Sequence, residues 1–383
     1  MQIITNTSDL AALVLRLKKH PHVTIDTEFL RESTFWPILC LIQIASEDES
    51  AIIDPMADGI DLKPLFELMQ NEDVLKIFHA GRQDLEIFFH LNGKVPTPIF
   101  DTQVAAMVCG FGESVGYDTL VSKIVGKSID KSSRFTDWSR RPLSEKQLTY
   151  AEADVTHLRD VYKFLAAKLA ETSRTEWVKS EMEILKSAET YFTPPENAWK
   201  RIKSRNTHPK FLGILQAIAG WREEQAHKQN IPRSRVLKDE SLLEIASNPP
   251  SSPEKLSHVR GIGQRFSNGN MGNGLLEAVK KGVNLPADQC PIVKKKEMAP
   301  KGTGPLMDLL RVVLKQCCEE NDVAQKLICN AADLEKIAID DDADVPALKG
   351  WRREIFGNLA LQLKMGKIAL ASESGKIKII RLE

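Results

Sequence analysis

The order in which the hydrophobic period changes along residues 22–170 is the strongest constraint on what this chain can fold into. His22–Phe29 (HVTIDTEF), Leu39–Ala45 (LCLIQIA) and Ala51–Asp54 (AIID) are short, apolar, β-branched runs, the last two separated by the acidic turn EDES. The period then lengthens. Leu62–Gln70 reads as a helix, Val74–His79 (VLKIFH) as a short buried strand, and Arg82–Leu91 as a helix with Leu85, Phe88 and Phe89 on one stripe. Asp101 stands where it would N-cap the next helix, and Ser144 with Gln147 forms a capping-box pattern ahead of a long helix running to about Leu169. Adjacent strands followed by strands alternating with helices predict a mixed α/β sheet with helices on its faces.

The rest of the 383 residues reads differently. Residues 171–204 form a helical connector broken by the Thr-Pro-Pro turn at 193–195, 205–283 a helical domain, 284–304 a linker containing KKKE, and 305–372 a second helical domain. The SNGNMGNG stretch (267–274) reads as a mobile loop. The tail, 373–383, carries KIKIIR, whose alternation is strand-like but has no evident place in a helical domain. Charge divides along the same line. Lys and Arg balance Asp and Glu at 52 each, yet residues 1–170 hold 18 basic against 24 acidic side chains. An acidic half beside a basic half suggests a carboxylate site next to a surface that attracts anions.

D-x-E is a weak signal and occurs three times, at Asp26/Glu28, Asp84/Glu86 and Asp333/Glu335. The first pair differs in context, because it sits in an apolar strand where residues i and i+2 share a face. Two carboxylates projecting together there are unfavourable unless cations compensate. Hard divalent cations take oxygen ligands, and phosphodiester hydrolysis by two metal ions needs several carboxylates converging from rigid elements. Tyr150 and Asp154 lie one helical turn apart and share a face. Asp84, in the first turn of a helix, is equally explained by the helix dipole.

The pieces in order are Asp-Thr-Glu on a strand, HAGRQDLEIFF, FDTQVAA, GYDTLV and TDWSRRPLSEKQLTYAEADV. This series resembles the ribonuclease D family of DEDD exonucleases, in the subgroup with Tyr in the third motif. The resemblance implies a ribonuclease-H-like α/β exonuclease domain over 1–170. It makes Asp26 and Glu28 the first motif, Asp84 the second, and Tyr150 with Asp154 the third. It also implies two divalent ions, Mg2+ or Mn2+, with Asp26 bridging both, Glu28 and Asp154 completing the nucleophile-side site, and Asp84 supporting the second. Tyr150 would orient the attacking water, since an ordinary phenol pKa of ~10 makes it a poor base. Thr27, Phe29, His79, Trp138, Arg140 and Arg141 are candidate substrate contacts. His79 is equally a hydrogen-bonded structural residue, and Trp138 with both arginines could equally pack the domain. The stretch GWREEQAHKQNIPRSRVLKDESLLEIA (220–246) resembles the HRDC module, and 305–372 a diverged second copy, so two all-α domains should follow the exonuclease domain. Arg201 and Lys203 at the end of the connector, with Arg205, Lys210, Arg233, Arg235 and Lys238 in the first of these domains, could track an RNA backbone.

The activity so implied is a 3′→5′ exoribonuclease that releases nucleoside 5′-monophosphates and trims tRNA precursors and other structured RNA. A DNA exonuclease of the same superfamily and an inactive RNA-binding adaptor are the alternatives, the latter disfavoured because all four carboxylates are present. A helicase accessory factor is weaker still, and no P-loop G-x-x-x-x-G-K-[ST] occurs, so no NTP partner is expected. The six Cys form no C-x-x-C pair, and reduced thiols, no signal-peptide pattern and no long apolar run fit a monomeric cytoplasmic protein away from membranes.

Overall fold

The computed structural model describes residues 2–293 and 300–382. The KKKE segment of the expected linker therefore lies outside the described residues. The first part of the chain runs β1 (Gln2–Ile4), α1 (Thr7–Leu17), β2 (His22–Leu30), β3 (Ile38–Ala45), β4 (Ser50–Ile53), α2 (Lys63–Met69), β5 (Leu75–Phe78), α3 (Arg82–Asn92), β6 (Ile99–Asp101), α4 (Thr102–Val108), α5 (Tyr117–Leu120) and α6 (Glu145–Glu171). The six strands form one sheet in the order β1-β4-β3-β2-β5-β6. β3 is antiparallel to both neighbours, whereas β2, β5 and β6 are mutually parallel. This is the mixed sheet that the change of period predicts, with the short edge strand β1 added.

β2 is the central element for function. It pairs with β3 on one side and β5 on the other, and its ladder shifts register between Glu28 and Phe29. Val23 and Ile25 are buried on one face, while Asp26 and Glu28 fall on alternate positions and share the other. The long helix α6 starts at a complete capping box, Ser144 with Gln147, and crosses β2. The Thr24 hydroxyl donates to the Val155 carbonyl at 2.8 Å, and the Tyr117 hydroxyl to the Ala153 carbonyl at 3.0 Å. These two bonds bracket Asp154 and fix the axial position of α6 on the sheet.

After α7 (Thr175–Lys186) and two 3-10 turns, a helical unit comprises α8 (Pro209–Gln229), α9 (Arg233–Val236), α10 (Asp239–Ser247), α11 (Pro253–Ser257), α12 (Gln264–Ser267) and α13 (Asn270–Asn284). Its own core contains Leu212, Leu215, Ile218, Leu242, Ile245, Leu256 and Leu275. The expectation of a loop at SNGNMGNG is corrected here. Asn270 opens α13, and a side chain at Gly272 would meet the Ser267 carbonyl oxygen at 2.3 Å. The glycines serve close helix packing, so their composition misleads.

The last region holds α14 (Thr303–Glu320), α15 (Gln325–Ile328), α16 (Ala331–Ile339), α17 (Gly350–Arg352) and α18 (Asn358–Lys364), then a hairpin of β7 (Ile368–Glu373) and β8 (Lys376–Arg381). The all-α expectation is corrected at this end. KIKIIR pairs antiparallel with Ile368–Glu373, and the two strands make a separate sheet. Leu310, Val313, Leu314, Leu334 and Phe356 belong to the same continuous apolar core as the exonuclease sheet. Five of the six thiols are buried, Cys318 is half-buried, and none is in a disulfide. Among the described residues no helix is long and apolar enough to cross a membrane.

Candidate active site

The sequence-predicted acids converge. One carboxylate oxygen from each of Asp26, Glu28 and Asp154 lies within 4.8 Å of the others. Asp84 joins them through Thr27, whose hydroxyl donates to its Oδ1. Asp84 and Asp154 are buried, at 7% and 6% exposure, and Asp26 and Glu28 half-buried. No salt bridge neutralises any of the four among the described residues, although the Arg134 guanidinium is near enough to favour the ionised forms of Glu28 and Asp154.

The electrostatic strain of this arrangement appears in the acidities. Burial, reinforced by Asp154, Asp84 and Glu28, holds the Asp26 carboxyl well above its ordinary range. Burial, reinforced by Asp154 and Asp84, pushes Glu28 up to about 9. Burial raises Asp154 to about 7 against the opposing hydrogen bond from Tyr150, and Asp84 to about 6 against the opposing bond from Thr27. Desolvation together with adjacent carboxylates also drives the Tyr150 phenol further from ionisation, so its hydroxyl is a hydrogen-bond donor and not a base at neutral pH.

Asp101 explains how Asp84 is aimed. Its carboxylate caps α4 by accepting from Gln103 N at 2.8 Å, and it also accepts from Ala80 N at 3.1 Å and Gly81 N at 2.9 Å. Ala80 takes φ +53°, and a side chain at Gly81 would meet Phe78 Cβ at 2.5 Å. The turn from β5 into α3 is thus tied to the sheet edge, and Asp84 follows three residues later. Asp101 is thus at once a helix cap and the structural partner of the preceding turn.

Other expected contacts fall elsewhere. Thr27 is buried and bonded to Asp84, and Phe29 packs on the core. His79 is bonded through Nδ1 to the Thr102 hydroxyl at 3.0 Å but lines the cavity over the carboxylates. Trp138 is only 2% exposed and packs with Cys40, Leu41 and Ala151, so its ring is not presented to a base. Arg141 is held by both Asp54 oxygens, at 2.6 and 2.7 Å, and by the Cys40 and Trp138 carbonyls. Of its two alternatives, holding phosphate or packing the domain, this commitment accords with the second. Arg140, 84% exposed and paired with Asp137, remains at the surface.

The cavity over the carboxylates measures ≈ 270 Å³ and is also lined by Gln103, Tyr117, Lys131 and Arg134. Sequence reasoning missed these four. Gln103 lies in the first turn of α4, Tyr117 opens α5, and Lys131 and Arg134 lie between α5 and α6; no spacing rule connects them to the motif acids.

Comparison with known proteins gives this geometry its family. The 3'-5' exonuclease family model matches residues 1–170, and the HRDC domain model residues 211–279. Ribonuclease D of Nitrobacter hamburgensis is 50% identical over 383 residues, covering all of both chains. Ribonuclease D of Gluconacetobacter diazotrophicus is 48% identical over 99% of this chain and 96% of its own length. Among solved structures, Escherichia coli RNase D, an exoribonuclease involved in structured RNA processing, superposes with a TM-score of 0.81 at 29% identity, covering 95% of this chain and 98% of that one. Full-length identity at this level, with both sequence modules in order, places the chain in the ribonuclease D family, and it is a 3′→5′ exoribonuclease.

Proposed function

We propose that Asp26, Glu28, Asp84 and Asp154 hold two divalent cations, Mg2+ or Mn2+, and that the site removes nucleoside 5′-monophosphates one at a time from RNA 3′ ends. The single observation that carries this is the uncompensated carboxylate cluster. Four acids with raised proton affinity and no ion-pair partner fit a site whose counter-charge comes from outside the chain. Bound divalent ions supply an activated water and neutralise charge on the leaving 3′ oxygen. The chain supplies the rest. β2 and α6 hold three carboxylates in one group, and Thr27 and Asp101 orient Asp84. Tyr150, with its hydroxyl on Asp154, positions the attacking water as a donor. Arg134 lines the cavity and would face the charge of the scissile phosphate, while Lys131 on the same wall is paired with Asp118 at 2.8 Å.

Structured RNA, tRNA precursors included, is the proposed substrate. Support comes from the full-length likeness to an exoribonuclease involved in structured RNA processing and from the HRDC-matched unit. Asp26→Asn and Asp154→Asn should each abolish mononucleotide release from 3′-labelled RNA while leaving RNA affinity within a few-fold. Near-normal turnover in either variant would remove the assignment. Digestion of matched RNA, DNA and pre-tRNA substrates, with and without EDTA, separates an RNA enzyme from a DNA enzyme or an inactive adaptor.

A further inference from the structure

A second cleft, ≈ 380 Å³, lies where the exonuclease domain meets the helical unit of α8–α13. Four guanidinia line it, each from a different segment: Arg31 just beyond β2, Arg82 at the start of α3, Arg201 at the end of a 3-10 turn and Arg233 at the start of α9. Two are neutralised inside the protein. Arg31 forms a fork on Glu86 with bonds of 2.7 and 2.8 Å, and Arg233 forms one on Glu223 while lying 4.5 Å over the Phe35 ring. The other two have only uncharged acceptors. Arg82 reaches the Thr190 carbonyl at 3.4 Å, and Arg201 the Thr193 hydroxyl at 2.5 Å. Among the described residues neither has a carboxylate partner. Phe192, on the same wall, leaves 41% of its surface exposed.

Uncompensated guanidinia beside an exposed ring form the pair of features that grips a single strand, with charge for the phosphate and a π-face for the base. The position fits as well. Arg31 lies three residues after Glu28 and Arg82 two before Asp84, so at ~3.3 Å rise per strand residue Arg31 is about 10 Å along the chain from the catalytic cluster. A strand with its last phosphodiester at the carboxylates leaves across a neighbouring rim, and this rim carries the unpaired positive charge.

We propose that this cleft is a second, non-catalytic site that holds backbone phosphate of the RNA upstream of its 3′ end, on Arg82 and Arg201, with a base against Phe192. The proposal rests on the exoribonuclease reading and adds to it a reason for dependence on substrate length. Both arginines are exposed, so their replacement leaves the fold intact.

The test compares the full-length protein with the double variant Arg82→Ala/Arg201→Ala on two RNAs, one unstructured and long enough to span both sites, the other a dinucleotide that reaches only the carboxylates. KM for the long RNA should rise about tenfold with kcat unchanged, while the dinucleotide is cleaved as before. The slope of log Kd against log salt should flatten by ~1.4, at ~0.7 per phosphate on a single strand. The charge-conserving Arg82→Lys/Arg201→Lys protein should keep that slope. An unchanged KM and slope on long RNA overturns the proposal. So does an equal loss on both RNAs, which would assign the arginines to support of Asp84. Failure of the unaltered protein to cleave even the dinucleotide would instead strike the exonuclease reading.

Discussion

Thr27 shows how closely the site depends on groups that never meet substrate. It sits between the two acids of β2, points to the opposite face, and donates its hydroxyl to Asp84. The Asp-Thr-Glu triplet therefore aims three carboxylates, two directly and one through the threonine. Thr27→Val keeps the shape and removes the donor. The expected result is a fall in kcat of about tenfold, the size of one lost hydrogen bond to a charged group, with stability changed little. An unaltered kcat would show that α3 alone fixes Asp84. The acids also make stability depend on pH. Glu28, Asp84 and Asp154 are raised to about 9, 6 and 7 in the folded chain, above unfolded values of about 4. Between those limits the folded state binds more protons than the unfolded one, so stability falls as pH rises through the window. In EDTA the melting midpoint should be lower at about pH 8 than at about pH 5.5, and Mg2+ should raise it more at the higher pH. An equal rise at both values would deny the cations to these acids. At this scale the paired acids of β2 were legible, because carboxylates in an apolar strand are unusual. Asp84 was legible only through the family resemblance, because an acid in a first helical turn has its own local explanation. Arg134 was invisible, since its proximity to Glu28 and Asp154 is created only by folding.

Elements deliver these residues through their ends and crossings. α3 is aimed by the β5–α3 turn, which Asp101 holds by two backbone N–H groups while also capping α4. Asp101→Ala would orphan both amides and the cap together. A loss of about 2–3 kcal/mol is expected from urea unfolding, from the capping and buried-donor terms combined, with a larger fractional loss of kcat than of RNA affinity. A variant with full activity would mean that the positive φ at Ala80 persists without its anchor. The capping box of α6, the strand runs and the helical stripe of α3 were readable because each signal is local. The start of α13 within SNGNMGNG was not, because those glycines answer to packing on the 266–267 carbonyls, a tertiary demand. The KIKIIR strand was readable as a strand but unplaceable, because its partner, Ile368–Glu373, lay in a stretch whose period was read as helical.

At the scale of the whole molecule, the C-terminal region is built into the exonuclease domain. The Ala324 amide donates to the Met107 carbonyl at 2.9 Å, and Lys326 N to Glu113 at 3.0 Å. The Trp177 and Trp351 rings stack at 4.4 Å, and Arg352 pairs with Glu181 where each side chain is 13% exposed. Sequence boundaries at 284–304 and 305–372 mark a second helical region but carry no sign that its apolar faces complete the first core, because hydrophobic period shows that a helix has a buried side and not what buries it. Truncating the chain after residue 204 would strip the Met107–Glu113 face as well as the basic helices, so loss of RNA binding in such a protein could not be assigned to charge. Point changes separate the two. Arg352→Ala leaves the Glu181 carboxylate nearly buried and unpaired, and should lower stability by ~3 kcal/mol. Arg352→Met with Glu181→Leu should recover most of that loss, since removing both charges removes the desolvation penalty along with the attraction. Chemical denaturation of the unaltered protein, Arg352→Met, Glu181→Leu and the double variant measures the coupling, and dinucleotide cleavage below the transition should be equal in all four. Additive losses without recovery would mean that the pair does not join the connector to the C-terminal region, and that the stacked tryptophans hold it alone.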